Sequence, residues 1–181
     1  YINSPETPFF KKGSNLYNLN NIRSLSNKVE TVYVVEGYMD VIVMTKNGIN
    51  NVVANLGTAL TDKQIMTLSQ FFNHIVICFD GDKSGYLAAL KAAENSIVEL
   101  QPEKKISFLF LPNNHDPDSF ANKYGKDYFI KFSNSNAVPI HQFIFKHYSE
   151  QSDNNPSSRA IFEKKLRSIA SIIKDEYIKK Y

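Results

Sequence analysis

The sequence predicts an α/β fold in which a mostly parallel sheet is flanked by helices and followed by an all-helical subdomain. An apolar run over 32–35 leads into Glu-Gly at 36–37, and a second run over 75–79 leads into Asp-Gly-Asp at 80–82. Continuous apolar runs of this length are typical of strands that a parallel sheet buries on both faces. After Pro117 the apolar residues recur only at helical spacing, which predicts the helical part.

The first half of the chain can be assigned element by element. A polar, proline-broken opening predicts a loop and then a short helix over 16–25. The first strand is predicted over 29–35, and the helix after it, over 40–46, is closed by an Asn-Gly pair typical of helix C-termini. A short strand over 51–54 follows, and a turn then leads to an amphipathic helix that Thr61 can cap.

The second half of the predicted sheet repeats this plan. A strand over 74–79 is followed by a helix over 84–100 and by a strand over 105–111. Alternating strands and helices imply parallel strands joined by right-handed crossovers. Only helices are expected after the last strand, including one around 140–147 and a long final one around 162–177.

The length of 181 residues suits one ordinary domain with an appendage. We expect a lead-in segment over 1–28, an α/β domain over 29–125 and a helical subdomain over 126–181. Because the chain starts at Tyr1 and not at a methionine, we also expect it to be a piece of a longer protein.

The composition excludes several classes of protein. With 43% hydrophobic and 13% aromatic residues a core can form, so disorder is not expected. A single cysteine, Cys78, allows neither a disulfide nor a cysteine-based zinc site within one chain, so zinc is not expected and a reducing compartment fits. No apolar run is long enough to span a bilayer, and no membrane partner is expected. A net charge of +3 is too small to establish a nucleic-acid partner.

Three carboxylates are expected at one edge of the sheet, since Glu36, Asp80 and Asp82 all follow predicted parallel strands. Each alone could be an ordinary surface side chain or a turn cap. Together they would repel one another and oppose folding, and a bound cation removes that conflict. Because all the donors are oxygen atoms, we expect Mg²⁺ or Mn²⁺.

Other charged residues allow two interpretations each. Asp116 and Asp118 suit helix capping and metal binding equally well, and Asp40 could face the same pocket or be exposed. Lys83 lies at a helix start, where backbone N–H groups and a cation suit a phosphate. Lys12 is more weakly marked, because a charge near a chain terminus is usually solvated.

The basic residues of the last helices also have two interpretations. They alternate with acidic residues, as on a solvated helix face that supplies no metal ligand. The alternative is a DNA-facing stripe formed by Lys164, Lys165 and Arg167.

Taken in order, the stretches 36–40, 80–85 and 116–118 resemble the three acidic motifs of the TOPRIM fold. Primases, type IA and II topoisomerases and some nucleases share that fold. The resemblance is greatest to the bacterial replicative DNA primases. It lies in the Glu-Gly-Tyr-Met-Asp motif, in the stretch 54–58 and in the upstream segment 1–7.

This resemblance covers roughly residues 1–148, and two departures from the family pattern stand inside it. His115 occupies a position where the family has a glutamate, and Asn55 occupies one where it has a small serine. The core set of strand-end carboxylates is unaffected by either.

The resemblance implies a TOPRIM-like, Rossmann-like sheet and RNA primer synthesis on single-stranded DNA by two-metal nucleotidyl transfer. It assigns catalysis to Glu36, Asp80 and Asp82. Metal binding would fall on these three together with Asp40, Asp116 and Asp118. Contacts to nucleotide or nucleic acid would fall on Lys12, Lys83 and, more weakly, Asn3.

The implied partners are a single-stranded DNA template, nucleoside triphosphates and the RNA primer. A replicative helicase would bind through a region of the family outside this chain, and the implied location is the bacterial cytoplasm, with nucleoid association. The alternatives are a TOPRIM nuclease or topoisomerase piece, or a metal- and nucleotide-binding module without turnover. A topoisomerase needs a nucleophilic tyrosine, and no tyrosine is marked for that role.

Overall fold

A five-stranded sheet forms the centre of the computed structural model, which describes residue 7 and residues 11–55, 60–112, 115–153 and 155–180. The strands are β1 (Thr31–Val35), β2 (Val52–Ala54), β3 (His74–Phe79), β4 (Lys105–Phe110) and β5 (Val138–Pro139). The helices are α1 (Leu19–Ile22), α2 (Tyr38–Lys46), α3 (Asp62–Ser69), α4 (Lys83–Ser96), α5 (Pro117–Asn136), α6 (Ile140–Ser149), α7 (Pro156–Ser171) and α8 (Glu176–Lys180). Short 3₁₀ turns lie at Lys12–Ser14, Arg23–Leu25 and Ile97–Glu99.

The sheet has the order β2-β1-β3-β4-β5, and its first three pairings are parallel. In this register Val34 of β1 lies between Val53 of β2 and Ile77 of β3. The predicted α/β class with a mostly parallel sheet is therefore confirmed. Since β1 and β3 are neighbours in register, the residues that follow them emerge side by side.

One strand was not expected. Val138 and Pro139 form β5, which pairs antiparallel with Phe108 and Ser107 of β4, so the expectation that only helices follow Pro117 is wrong here. Proline lacks a backbone N–H and is tolerated at a sheet edge, which is where β5 lies. Two residues between helices are too few to show a period of two, so no sequence pattern marked this strand.

Helices cover both faces of the sheet. On one face of the sheet, Val34 and Ile77 pack in a hydrophobic core with residues from α3, α4, α6 and α7. The opposite face, which includes Val35 and Cys78, packs with residues from α2 and α5. Burial on both faces explains why the strands are continuous apolar runs and not alternating ones.

The final helical region is divided where one long helix was predicted. Helix α7 ends at Ser171 and α8 begins at Glu176. Ile169 and Ile173 are buried in the core cluster that includes the sheet. Tyr177, near the end of the predicted long helix, lies on α8 and is 78% exposed.

The longest helix, α5, has 20 residues and is interrupted at Gly125, where φ is 75°. It runs across the expected boundary between residues 125 and 126, and the three-segment division of the chain stays a prediction. Among the described residues, no helix combines the length and the apolar character needed to cross a bilayer.

Candidate active site

Two carboxylates emerge together at the carboxyl edge of the sheet. Glu36 directly follows β1 and Asp80 directly follows β3, and the two strands are paired in parallel. Burial raises the pKa of Glu36, and repulsion from Asp80 and Asp82 raises it further. These groups therefore share one electrostatic neighbourhood, at the edge where open α/β sheets bind ligands.

The loop after β4 contributes to the same neighbourhood. Burial raises the pKa of Asp80, and repulsion from Asp116 and then Asp82 adds to the effect. Asp116 follows β4, the strand beside β3, so a third strand end contributes to the acidic edge.

Asp40 lies near Asp116 and Asp118, at the start of α5, and is half-buried. Its Oδ2 accepts a hydrogen bond from the N–H of Gly37 at 3.1 Å, which caps α2. Burial raises the pKa of Asp40 to about 6, and Asp116 and Asp118 add repulsion. Of the two interpretations of Asp40 taken from the sequence, the structure therefore favours the one in which it faces the site.

We expect Asp40→Asn to stabilise the fold near neutral pH. The pKa of Asp40 is raised by folding from 3.8 to about 6, so the folded state holds a proton that the unfolded state releases. Between about pH 4 and pH 6 the stability supplied by this group therefore falls as pH rises. Asparagine removes the charge and keeps an oxygen acceptor for Gly37.

The measurement is urea unfolding of both proteins without divalent ions at about pH 4, 6 and 7.5, with the exposed Glu103→Gln as the control. The advantage of Asp40→Asn should shrink towards pH 4. An advantage that is equal at all three pH values would contradict this account.

Asp82 and Asp116 both cap helices. The Oδ1 of Asp82 accepts hydrogen bonds from the N–H of Gly85 at 2.7 Å and from the hydroxyl of Ser84 at 2.9 Å. The Oδ1 of Asp116 accepts one from the N–H of Ser119 at 2.9 Å. The capping interpretation is thus confirmed for both, and it does not exclude metal binding, because a carboxylate has about four acceptor positions.

Hydrogen bonds and burial together shift the pKa values of Asp82, Asp116 and Asp118. Hydrogen bonds from Gly85 and then Ser84 lower the pKa of Asp82. Burial would raise the pKa of Asp116, but hydrogen bonds led by that from Ser119 outweigh it and lower the pKa. Burial and then the neighbouring Asp116 raise the pKa of Asp118.

Asp80 and Asp82 should respond differently to replacement by alanine. Without metal, we expect Asp82→Ala to lower the melting temperature, because α4 loses its cap. Asp80→Ala should leave it unchanged or raise it, because repulsion from Asp116 and Asp82 is removed. If both side chains bind metal, each variant also loses part of the melting-temperature increase that Mg²⁺ produces. A full Mg²⁺ response in both variants would sink the metal interpretation of this pair.

The donor chemistry of the edge suits a hard cation. All six predicted ligands are carboxylates, and oxygen donors are those that Mg²⁺ and Mn²⁺ prefer. Within the described ranges, however, no three His, Cys, Asp or Glu side chains are grouped closely enough to hold one ion. The fit to a metal therefore rests on donor type and mutual repulsion, and not on a closed set of ligands.

A cavity of about 290 Å³ opens beside Glu36. Asn55 and Lys91 line it together with apolar residues of β1, β3 and α4. Sequence analysis did not single out Lys91, because nothing in a helical lysine indicates which strand end it will face. The cavity places a cation and a carboxylate around one space large enough for part of a nucleotide.

The predicted nucleotide-binding residues are positioned in different ways. Lys83 is exposed as the first residue of α4, directly after the capping Asp82. Lys12 begins the 3₁₀ turn at Lys12–Ser14, which contacts α3. Asn3 lies outside the described residues.

A buried glutamine that sequence analysis missed anchors the Lys12 turn. Gln64 Nε2 donates hydrogen bonds to the carbonyl oxygens of Lys12 at 3.1 Å and Asn15 at 2.7 Å. Its Oε1 accepts one from the N–H of Thr61 at 3.0 Å. The Thr-x-x-Gln spacing was the available signal, since it is that of a capping box.

The Asp-Gly-Asp loop is packed tightly against the end of β4. A Cβ atom placed on Gly81 would lie 1.9 Å from the carbonyl oxygen of Leu111, and one on Gly85 would lie 2.3 Å from that of Asp80. Only residues without a Cβ fit these two positions as the backbone stands. The two glycines therefore allow the backbone at Gly81 to approach Leu111, after β4, and the backbone at Gly85 to approach Asp80.

Comparisons with known proteins agree with the resemblance seen in the three acidic motifs. Residues 30–110 match the Toprim domain family. The DNA primase of Legionella pneumophila is 42% identical over 160 residues, which are 88% of this chain and 28% of that protein. The chain thus spans about a quarter of the length of the curated relatives that it matches.

Solved structures agree over nearly the whole chain. A DNA primase domain from Pseudomonas aeruginosa has a TM-score of 0.93 and 37% identity, covering 99% of this chain and 56% of that one. A DnaG primase catalytic domain bound to single-stranded DNA has a TM-score of 0.92 and 35% identity, covering 100% and 58%. The resemblance found in the acidic motifs is confirmed: this chain has a Toprim fold and belongs to the bacterial DNA primase family.

Proposed function

We propose that this chain is part of the RNA polymerase core of a bacterial DNA primase, which makes short RNA primers on single-stranded DNA during replication. One observation carries the proposal: Glu36 and Asp80 emerge side by side from paired parallel strands, with Asp116 from the next strand interacting with Asp80. Three acidic strand ends at one edge suit nucleotidyl transfer, in which negative charge on phosphate must be neutralised.

The proposed cofactor is Mg²⁺ or Mn²⁺, held by Glu36, Asp80 and Asp82 with help from the carboxylates that surround them. When bound, such ions neutralise phosphate charge and favour attack of a 3′-hydroxyl on the α-phosphate of a nucleotide, with pyrophosphate leaving. Within the chain, Glu36 is suited to accept the proton of that hydroxyl or to bind metal, because its pKa is raised above the ordinary value.

The surrounding residues would bind and orient the substrate. Asp40, Asp116 and Asp118 are proposed as further metal ligands, which their repulsion of one another supports. Lys83 at the start of α4 and Lys12 in the Gln64-anchored turn are proposed phosphate contacts. Asn3 remains a weaker candidate for a template or nucleotide contact.

The proposed partners are single-stranded DNA as template, nucleoside triphosphates and the RNA primer. The structural relative bound to single-stranded DNA supports a DNA partner. A replicative helicase, bound through regions outside this chain, and a location in the bacterial cytoplasm at the nucleoid are further parts of the proposal.

Divalent metal should stabilise the fold, because folding brings mutually repelling carboxylates together. At about 100 times its dissociation constant, an ion that binds only the folded state adds roughly 2.7 kcal/mol, or about 5–10 °C of melting temperature. Thermal melts with MgCl₂ or MnCl₂, matched in ionic strength with NaCl, measure this effect. Identical melting temperatures across a full titration would falsify the proposed metal site.

The function is tested by adding labelled nucleotides and a single-stranded template to this chain and to a protein of the relatives' full length that contains it. Extended RNA product supports the proposal. Cleavage of the template would instead identify a Toprim nuclease. Metal-dependent nucleotide binding without product in both proteins would identify a binding module.

A further inference from the structure

A row of aromatic rings leads away from the acidic edge along α5. We call His115, Tyr124, Tyr128 and Phe132 the aromatic row. The ring centroids of Tyr124 and Tyr128 are 4.8 Å apart with planes 24° apart, and those of Tyr128 and Phe132 are 6.5 Å apart with planes 16° apart. The His115 ring contacts Tyr124 edge-on at 5.9 Å, so the row begins at the residue before Asp116.

Tyr128 is the tyrosine of the row that does not hold α5 on the sheet, since Tyr124 and Phe132 pack against the core. Phe120 and Phe129 are fully buried and supply the contact with the core. Tyr128 is 49% exposed, and Tyr124 and Phe132 are half-buried. Tyr128 stacks on Tyr124 and lies farther from Phe132, so about half of its surface remains open to solvent.

Lysines accompany these rings. The Nζ of Lys123 lies 5.1 Å from the centroid of the Tyr124 ring, and Lys126 and Lys131 are exposed on the same helix. From residue 119 to 136 these three lysines are accompanied by a single acidic residue, Asp127. In the described part of the chain, none of the three lysines is in an ion pair.

Two basic residues of the alternative DNA-facing stripe, on α7, are in ion pairs. Lys165 lies 3.6 Å from the carboxylate of Glu94 and also over the ring of Tyr148, and Arg167 pairs with Glu163 at 2.7 Å. Lys165 and Arg167 are each paired with a carboxylate, whereas among the described residues Lys123 and Lys131 are not.

We propose that the aromatic row, Lys123 and Lys131 form a binding surface for single-stranded DNA. Bases would stack on Tyr128 and its neighbours, and Lys123 and Lys131 would contact phosphates, which is how non-specific single-strand surfaces are built. This inference deepens the proposed function, on which it rests: the strand on α5 would be template leading to or from the acidic edge.

The test measures the affinity of this chain for a fluorescein-labelled twelve-residue oligo-dT at low salt by anisotropy. Tyr128→Ala should weaken binding roughly 5- to 100-fold, because the base that stacks on this ring loses its platform. Tyr128→Phe keeps the ring and should bind like the unmodified chain. The matched control is Tyr177→Ala, which removes another exposed tyrosine, on α8, and should bind normally. Melting curves verify that each variant is folded.

The lysines are tested through the salt dependence of binding. Replacing both Lys123 and Lys131 by glutamine should reduce the slope of log affinity against log salt by about 0.7 for each phosphate that the chain no longer neutralises. The control is Lys165→Gln with Arg167→Gln, which should leave the slope unchanged. A change of slope in the control pair alone would overturn the proposal in favour of the α7 stripe.

Failure of this inference and failure of the proposed function give different results. Three results would overturn the surface and leave the primase proposal standing. Tyr128→Ala could bind DNA with unchanged affinity, Tyr177→Ala could lose as much affinity as Tyr128→Ala, or Tyr128→Ala could lose affinity for oligo-rU but not for oligo-dT. Normal primer synthesis by Asp80→Asn in the longer protein would overturn the primase site. The DNA affinity of that variant should stay at least as high as that of the unmodified chain, because Asp80 is not part of the surface on α5.

Discussion

Glu36→Gln is expected to abolish primer synthesis, with a loss of at least roughly 10²- to 10⁴-fold, the range typical of a lost proton-transferring group. Glutamine keeps the shape of the side chain and removes the charge that would hold metal or accept a proton. The loss should be measured in a protein of the relatives' full length that contains this chain, with excess template and nucleotides.

Stability and activity should separate in this variant. Because burial and repulsion from Asp80 and Asp82 raise the pKa of Glu36, removing its charge should leave the melting temperature equal or higher. Glu103→Gln, at an exposed turn, is the control and should change neither quantity. Primer synthesis by Glu36→Gln at near the unmodified rate would exclude Glu36 as ligand or base.

Gly81→Ala is the second variant with a large expected effect, this time on the backbone of the site. The added Cβ would stand 1.9 Å from the carbonyl oxygen of Leu111, and backbone cannot yield as a flexible side chain can. We expect a loss of about 1–3 kcal/mol or more of unfolding free energy, as for other overpacked positions. Displacement of the loop should also reduce primer synthesis, because Asp80 and Asp82 flank this glycine.

Gly125→Ala is the matched control, because the two glycines differ in what constrains them. Gly125 has a φ of 75° but no atom within 4 Å of a Cβ placed on it. Its replacement should cost about 1–2 kcal/mol through backbone strain alone, and because it leaves the Asp-Gly-Asp loop in place, primer synthesis should fall less than in Gly81→Ala. Equal stability and equal activity in the two alanine variants, measured by urea unfolding and the primer assay, would contradict the steric account of Gly81.

Local pattern was sufficient for the parts of the fold in which each residue's role depends on its neighbours in sequence. The apolar runs that end at Glu36 and Asp80 marked both central strands, and β3 has the predicted bounds of His74–Phe79. Thr61 caps α3 as its position indicated. Strand ends in a parallel sheet necessarily meet at one edge, so the sequence also brought the acidic motifs together.

Long-range packing decided the rest. β5 exists because Val138 and Pro139 meet β4, which lies about thirty residues earlier, and so short a strand carries no period. Gln64 anchors the turn at Lys12 from about fifty residues away. Sequence spacing cannot report contacts of this kind, because they depend on how helices and loops pack after the chain has folded.

The acidic edge shows the same division. Residue types and order were enough to predict three carboxylates near a metal, the family resemblance implied the other three, and the Toprim fold that carries them is confirmed. Only the tertiary structure decided that Asp40 turns towards Asp116 and Asp118, and that Asp82 and Asp116 already cap helices. The physical reason is that burial, mutual repulsion and competition for hydrogen bonds are properties of the folded neighbourhood, and a carboxylate in a sequence has none of them until its neighbours are in place.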